Sequence, residues 1–272
     1  GRPEFAWRFL NGYLEQTGDY EGVVLLRLYA VYRAMVRCKV ATLRAQQSPS
    51  GLTERARAIA TAERYGGIAW QLTASTMPTL ILMHGLSGSG KSTVARMAAE
   101  SIGAIRVRSD VERKRLFNLP VSTRTGSELG GGLYGTDATR RTYERLADIA
   151  RTLVEAGYSV IVDATFLSRA ERSAFQSIAR DLARGYVILD CVAPDAVLRE
   201  RIASRRETKI DASEADQHVL DHQLLEAEAF TPDELQHTIS IATDCSLAAL
   251  ATQCALLAAQ VLGGDEVYDR GV

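Results

Sequence analysis

Cysteine is scarce in this 272-residue chain, and the four present (Cys38, Cys191, Cys245, Cys254) show no C-x-x-C spacing. That argues against a disulfide scaffold or a thiolate metal site, and leaves reduced, mostly buried thiols in a cytoplasmic protein as the expectation. No apolar run approaches the roughly twenty residues of a membrane span, and no secretory leader opens the sequence, so no membrane partner is expected. Net charge is nearly absent, at −1, and aromatic residues make up only 7%. Bulk charge therefore does not mark the chain as a nucleic-acid binder. Internal repeats and low-complexity tracts are lacking too. The sequence opens on Gly1 rather than Met, as expected of a fragment or a processed chain.

What is present is an uneven charge distribution and two kinds of pattern. Residues 1–70 hold ten Lys and Arg against six Asp and Glu. They read as helical over 5–46, with a break at Thr17-Gly18-Asp19 where Asp19 can cap the second run. A turn follows at Ser48-Pro49-Ser50-Gly51, then a third helix from Leu52 to Trp70. Helices of this size bury little alone, so they are expected to pack on the following domain or on a part upstream. From Thr79 the pattern changes to alternation. Strands are predicted at 79–84, 105–109, 158–163, 186–192 and 238–242. Helices are predicted near 91–102, 111–117, 137–156, 168–183, 194–206, 213–229 and 246–262. Apolar strands separated by helices imply an α/β fold, a parallel five-stranded sheet covered on both faces. The glycine-rich stretch Gly126–Gly135 reads as a flexible loop.

Between the first strand and the next helix lies Gly85-Leu86-Ser87-Gly88-Ser89-Gly90-Lys91-Ser92, which matches G-x-x-x-x-G-K-[ST] at every fixed position. Strand, glycine-rich turn and helix form the context in which this string cradles phosphates. Glycines let successive N–H groups converge on an anion, and the helix adds its N-terminal partial charge. Gly85, Ser87, Gly88, Ser89, Gly90, Lys91, Ser92 and Thr93 are the candidate nucleotide-binding residues. Lys91 can reach the β- and γ-phosphates, and the Ser92 hydroxyl can ligate Mg2+. ATP and Mg2+ are the expected cofactors.

Ligands of open α/β sheets bind beyond the carboxyl ends of the strands, so residues there are candidates for chemistry. Asp110, after the second strand, can accept the proton of an attacking hydroxyl, or simply cap the helix that follows. Arg113 lies one turn on and can hold an anion on the acceptor. Asp163, after the third strand, can hold Mg2+ directly or through water, with Thr165 close enough to touch the acceptor or the γ-phosphate. A capping role is the alternative for Asp163, although Ser168 and Glu171 already supply a capping box for the next helix. Arg201 and Arg205, four apart on one helical face, can clamp the triphosphate, or can be solvated with Glu200 and Glu207 as partners. The cluster Arg106, Arg108, Arg113, Lys114 and Arg115 favours an anionic acceptor, an oligonucleotide 5′-hydroxyl first, a small molecule such as a sugar or nucleoside next. The i, i+4 pair His218 and His222 lacks a third ligand and reads as a solvated face.

With these residues in place, 79–262 resembles the P-loop kinases, in particular the predicted-kinase branch related to polynucleotide 5′-hydroxyl kinases, zeta-toxin-like kinases and gluconate-kinase-like enzymes. Asp110-Val111-Glu112-Arg113 looks like the D-x-x-R element of polynucleotide kinases. The resemblance implies that Asp110 is the general base and that Arg113 engages the acceptor phosphate. Asp163-Ala164-Thr165 looks like their D-x-T element, and Arg201 and Arg205 lie where they keep lid arginines. The first fifty residues, notably Phe9–Tyr20 and Tyr32–Val40, resemble the last helices of an aminoglycoside-phosphotransferase-like domain. The resemblance thus divides the chain into 1–70 and a kinase domain over 71–272. An ATP-driven switch acting on an N-terminal domain is the alternative function.

Overall fold

A computed structural model describes residues 2–47, 51–74, 77–120, 123, 135–208 and 217–263. The expected loop 126–135 lies outside the described residues except for Gly135, as do 213–216 of the helix predicted over 213–229. Contacts divide the chain into two units, one of residues 1–18 with 77–272 and one of residues 19–76. The division falls at Gly18 and Met77, not at residue 70. The first helix, α1 (Pro3–Thr17), therefore belongs with the sheet.

The smaller unit is a hairpin of α2 (Val23–Gln47) and α3 (Leu52–Thr73). Asp19 caps the turn that leads into α2, accepting from the Gly22 N–H at 3.1 Å. Its buried seam is made of small residues, Ala34, Ala41 and Ala45 of α2 with Ala69 of α3, so the helices approach closely. Val24, Leu25, Leu28, Tyr29, Tyr32 and Met35 of α2 stay exposed.

The larger unit is built on five parallel strands in the order β2-β3-β1-β4-β5. They are β1 (Thr79–His84), β2 (Ile105–Arg108), β3 (Val160–Asp163), β4 (Gly185–Val192) and β5 (Thr238–Ala242). Leu80, Ile81, Leu82 and Met83 are all fully buried, as are Val160, Ile161 and Val162. Helices cover both faces, which is why these strands are continuously apolar rather than alternating. Ile81, Met83, Ile161, Leu189 and Ile241 meet α4 (Lys91–Ile102) and α11 (Leu247–Gly263) through Val94, Ala95, Ala98, Leu250 and Leu257. Against the sheet also lie α6 (Thr136–Glu155) and α7 (Arg169–Asp181). The predicted stripe of α6 is buried at Leu146, Ala150, Leu153 and Val154, and Gly157 at φ +84° follows its end.

The remaining helices are α5 (Ser109–Leu116), α8 (Asp195–Thr208), α9 (Gln217–Glu226) and the five-residue α10 (Pro232–Gln236). Leu198 and Ile202 of α8 pack with Leu220 of α9 against Leu86. Among the described residues no helix is long and apolar enough to cross a membrane. Of the four cysteines, Cys191 and Cys254 are buried and Cys245 is exposed; burial pushes the Cys191 thiol up to about 12.

Candidate active site

The glycine-rich turn joins β1 to α4 at the carboxyl edge of the sheet, beside the point where strand order reverses about β1. Its geometry depends on glycine at two places. Gly85 (φ +135°) would drive a Cβ to 2.6 Å from the Cys191 carbonyl, and Gly88 (φ +85°) to 2.7 Å from the Leu198 carbonyl. Only a residue without Cβ fits such conformations and such close backbone approach. Gly90 caps α4 in the left-handed region, so Lys91, Ser92 and Thr93 form the helix's first turn with their amides at its N-terminus. Ser87 and Ser89 are buried within the loop.

Lys91 Nζ donates to the Leu86 carbonyl at 2.7 Å, folding its charge over the loop. Ser92 Oγ donates to Asp163 Oδ1 at 3.3 Å. Asp163 Oδ2 is buried and accepts no hydrogen bond, while Arg106 Nε stands 3.3 Å away and Arg108 Nε 3.9 Å away. A buried hydroxyl–carboxylate pair with a spare oxygen, beside a cradle in which Cβ atoms would clash, fits a Mg2+–triphosphate. Thr165 lies against the loop as well, since its carbonyl accepts from the Gly85 N–H at 3.4 Å. Directly before the loop, His84 Nδ1 is 2.6 Å from Asp190 Oδ1, and its ring packs on Phe230 at 4.5 Å.

Three further residues hold the loop, two of which, Gln223 and Thr243, carry no motif. Gln223 of α9 accepts from the Ser87 N–H through its side-chain oxygen at 2.8 Å. Thr243, after β5, donates to the Ser89 carbonyl at 2.7 Å. Arg201 donates to the Gly88 carbonyl at 3.3 Å and to the Thr243 carbonyl at 2.6 Å. Arg201 thus links the loop at Gly88 to the residue that follows β5. The backbone of Arg205 lies in α8; its side chain falls outside the described residues.

At the neighbouring strand ends, β2 stops at Arg108 and α5 starts at Ser109, one residue earlier than predicted for the strand's close. Asp110 is partly buried in the first turn of α5, whose N-cap position is Arg108. Asp110 is therefore not the N-cap residue, and no hydrogen bond or ion pair involves it among the described residues. Arg113 is 9% exposed, its Nε 3.5 Å from Thr142 Oγ1. Tyr143, which the α6 stripe presents as core, has its hydroxyl 3.4 Å from Thr165 Oγ1 and accepts from the Phe166 N–H at 3.3 Å. Burial, then the nearby Glu171 carboxylate, pushes the Tyr143 hydroxyl upward. Burial likewise raises the Glu171 carboxyl, although the Tyr143 hydroxyl and Arg113 oppose that shift. Ser168 caps α7 by accepting from the Ala170 N–H. Glu171, read from the sequence as a capping partner, also faces this side of the site.

The basic cluster of β2 and α5 is turned inward. Arg106 and Arg108 face Asp163 and Glu15, Arg115 pairs with Glu112 and donates to the Glu15 carbonyl, and Lys114 is 2% exposed. The charges that favoured an anionic acceptor are thus largely balanced within the protein. Charge patterns in a sequence show type, not partner.

Residues 80–230 match the family model AAA_33, described as an AAA domain. An uncharacterised protein of Mycobacterium tuberculosis (strain H37Rv) and one of Mycobacterium bovis are each 34% identical over 213 residues, 78% of this chain. The chain spans 42% of those relatives' length. A gluconokinase structure from Sinorhizobium meliloti superposes with a TM-score of 0.51 at 20% identity, covering 72% of this chain and 99% of that one. The Chaetomium thermophilum Kti12 structure with ADP-AlF3 gives 0.51 at 15% identity, over 67% and 98%. With its phosphate loop, parallel sheet and strand-end acid in place, the chain belongs to the AAA_33 family and carries the P-loop kinase fold.

Proposed function

We propose that this protein is an ATP- and Mg2+-dependent phosphotransferase acting on a hydroxyl acceptor. The observation that carries the reading is the junction of Lys91, Ser92 and Asp163 at the loop, with Asp110 in the first turn of α5 past the adjoining edge of the sheet. The loop amides and Lys91 hold the β- and γ-phosphates, and Ser92 and Asp163 hold the metal side. Bound Mg2+–ATP supplies the transferable phosphoryl group and offsets its developing charge. Asp110 takes the acceptor's proton. Arg201 keeps the loop in shape, and Arg205 stands on the same helix as a candidate for neutralising charge.

On the acceptor side, among the described residues, the carboxylates Asp110 and Glu171 and the hydroxyls of Thr165 and Tyr143 lie with the buried cation Arg113. That set supports a small, neutral, polyhydroxylated acceptor over an oligonucleotide 5′-hydroxyl. Residues 1–70 are read as the end of an aminoglycoside-phosphotransferase-like domain.

A labelled-ATP screen across sugars, nucleosides and 5′-hydroxyl oligonucleotides tests the acceptor class, and faster labelling of the oligonucleotide would overturn it. Asp110→Ala should lower transfer by about 10²–10⁴-fold while nucleotide affinity holds. Transfer within about threefold of the parent would remove Asp110 from the base role.

A further inference from the structure

The metal-side acid Asp163 is tied to a helix far upstream in sequence. Asn11 of α1 donates to the Ala104 carbonyl at 3.0 Å and accepts from the Arg106 N–H at 2.7 Å, docking α1 on the start of the edge strand β2. One turn on, Glu15 Oε1 lies 2.8 Å from Arg108 Nη1, and Glu15 Oε2 lies 4.0 Å from Arg106 Nη2. The Nε atoms of the same two arginines face Asp163 Oδ2, at 3.9 Å and 3.3 Å. Asp163 Oδ1 meanwhile takes Ser92. Arg115 donates to the Glu15 backbone carbonyl at 2.9 Å and so fixes the end of the helix that carries the carboxylate.

The charges of this row alternate and cancel: two carboxylates, two guanidiniums. Asp163 is the most buried member, its side chain 4% exposed, and Glu15 the least, at 28%. Without Glu15 this row would carry one extra positive charge close to the proposed dication site.

We propose that Glu15 is a positioning residue that balances Arg106 and Arg108 and leaves the Asp163 carboxylate available to Mg2+. The inference rests on the metal-side reading of Asp163 given above. It makes α1 part of the nucleotide site, although α1 touches no phosphate.

The test is the affinity of the full chain for a fluorescent ADP analogue, titrated with Mg2+. Glu15→Gln should raise the Mg2+ concentration at half-effect by about 3- to 10-fold. A group in direct contact with a metal ligand typically changes metal affinity by about 10- to 100-fold, and Glu15 is one step further out. Glu15→Asp should restore most of the loss. Arg108→Gln, which removes a positive charge, should move the midpoint the other way, and the double variant should return toward the parent. A merely structural Glu15 would shift melting temperature with an unchanged midpoint, or would make both single variants worse in the same direction; either result overturns the proposal. If Glu15→Gln does not fold, the sign of the Arg108→Gln shift decides alone. Asp163→Asn separates the two readings. If it leaves the Mg2+ midpoint at the parent value, the metal-side assignment falls and this inference with it. If it moves the midpoint while Glu15→Gln does not, only the inference falls.

Discussion

Arg172 carries its charge where water does not reach. It is fully buried, its Nε 2.6 Å from Glu234 Oε1, and it donates to the carbonyls of Phe166, Leu167 and Ala229. A buried pair of this kind adds little net stability against an apolar replacement, but breaking it leaves a lone buried charge. Arg172→Met should therefore cost about 3–5 kcal/mol in urea denaturation at pH 7. Arg172→Met with Glu234→Leu should recover much of that. Burial alone would raise the Glu234 carboxyl, but Arg172 and the Thr231 amide outweigh it and hold the group below 4.5. A lowered carboxyl contributes stability above its unfolded pKa, and loses it as pH falls through the folded one. The parent should lose this contribution on acidification below about pH 4.5, and Arg172→Met should lack that step. The same scale shows what a string of letters hides. Asp163 and the loop are legible because their positions follow from strand, turn and helix. Arg172 reaches Glu234 across 62 positions, Arg201 reaches Gly88 across 113 and Gln223 reaches Ser87 across 136, and no local pattern announces these pairings.

Among the elements, the sheet was the most readable part. Its strands are apolar runs bounded by turn residues, and all five were found within two residues at each end. The short α10 escaped notice, since five residues carry no period, although its capping box from Thr231 to Glu234 stands in the sequence. Helix α1 was visible as a helix but not as part of the sheet unit. An amphipathic pattern shows that a face will be buried, never against what. The structure supplies the answer at Leu14, fully buried, and at Trp7, whose ring lies 6.5 Å from Tyr158. Leu14→Ala should thus cost about 2–5 kcal/mol of the sheet unit's stability, from lost burial and the cavity left behind. Urea denaturation followed by far-ultraviolet circular dichroism measures it; a loss below about 0.5 kcal/mol would mean that α1 adds little to the sheet unit.

For the molecule as a whole, the phosphate loop is held by segments far apart in sequence. The loop after β1 is held by Arg201 of α8, by Thr243 after β5, by Gln223 of α9 and by the Thr165 carbonyl after β3. Four segments spread over most of the chain thus converge on eight residues, so a ligand that binds the loop stabilises the native state against global unfolding. At a free concentration 100 times its Kd, Mg2+–ADP should add about 2.7 kcal/mol. For a unit of this size that corresponds to a rise of roughly 5–10 °C in Tm. The rise should shrink when EDTA replaces Mg2+, because the Ser92–Asp163 side of the site then contributes less. Lys91→Ala should weaken the response by removing a positive charge from the loop, where its ammonium now lies over the Leu86 carbonyl. A parent whose Tm ignores nucleotide at millimolar concentration, or a Lys91→Ala variant that responds as the parent does, would leave the loop without its assigned ligand.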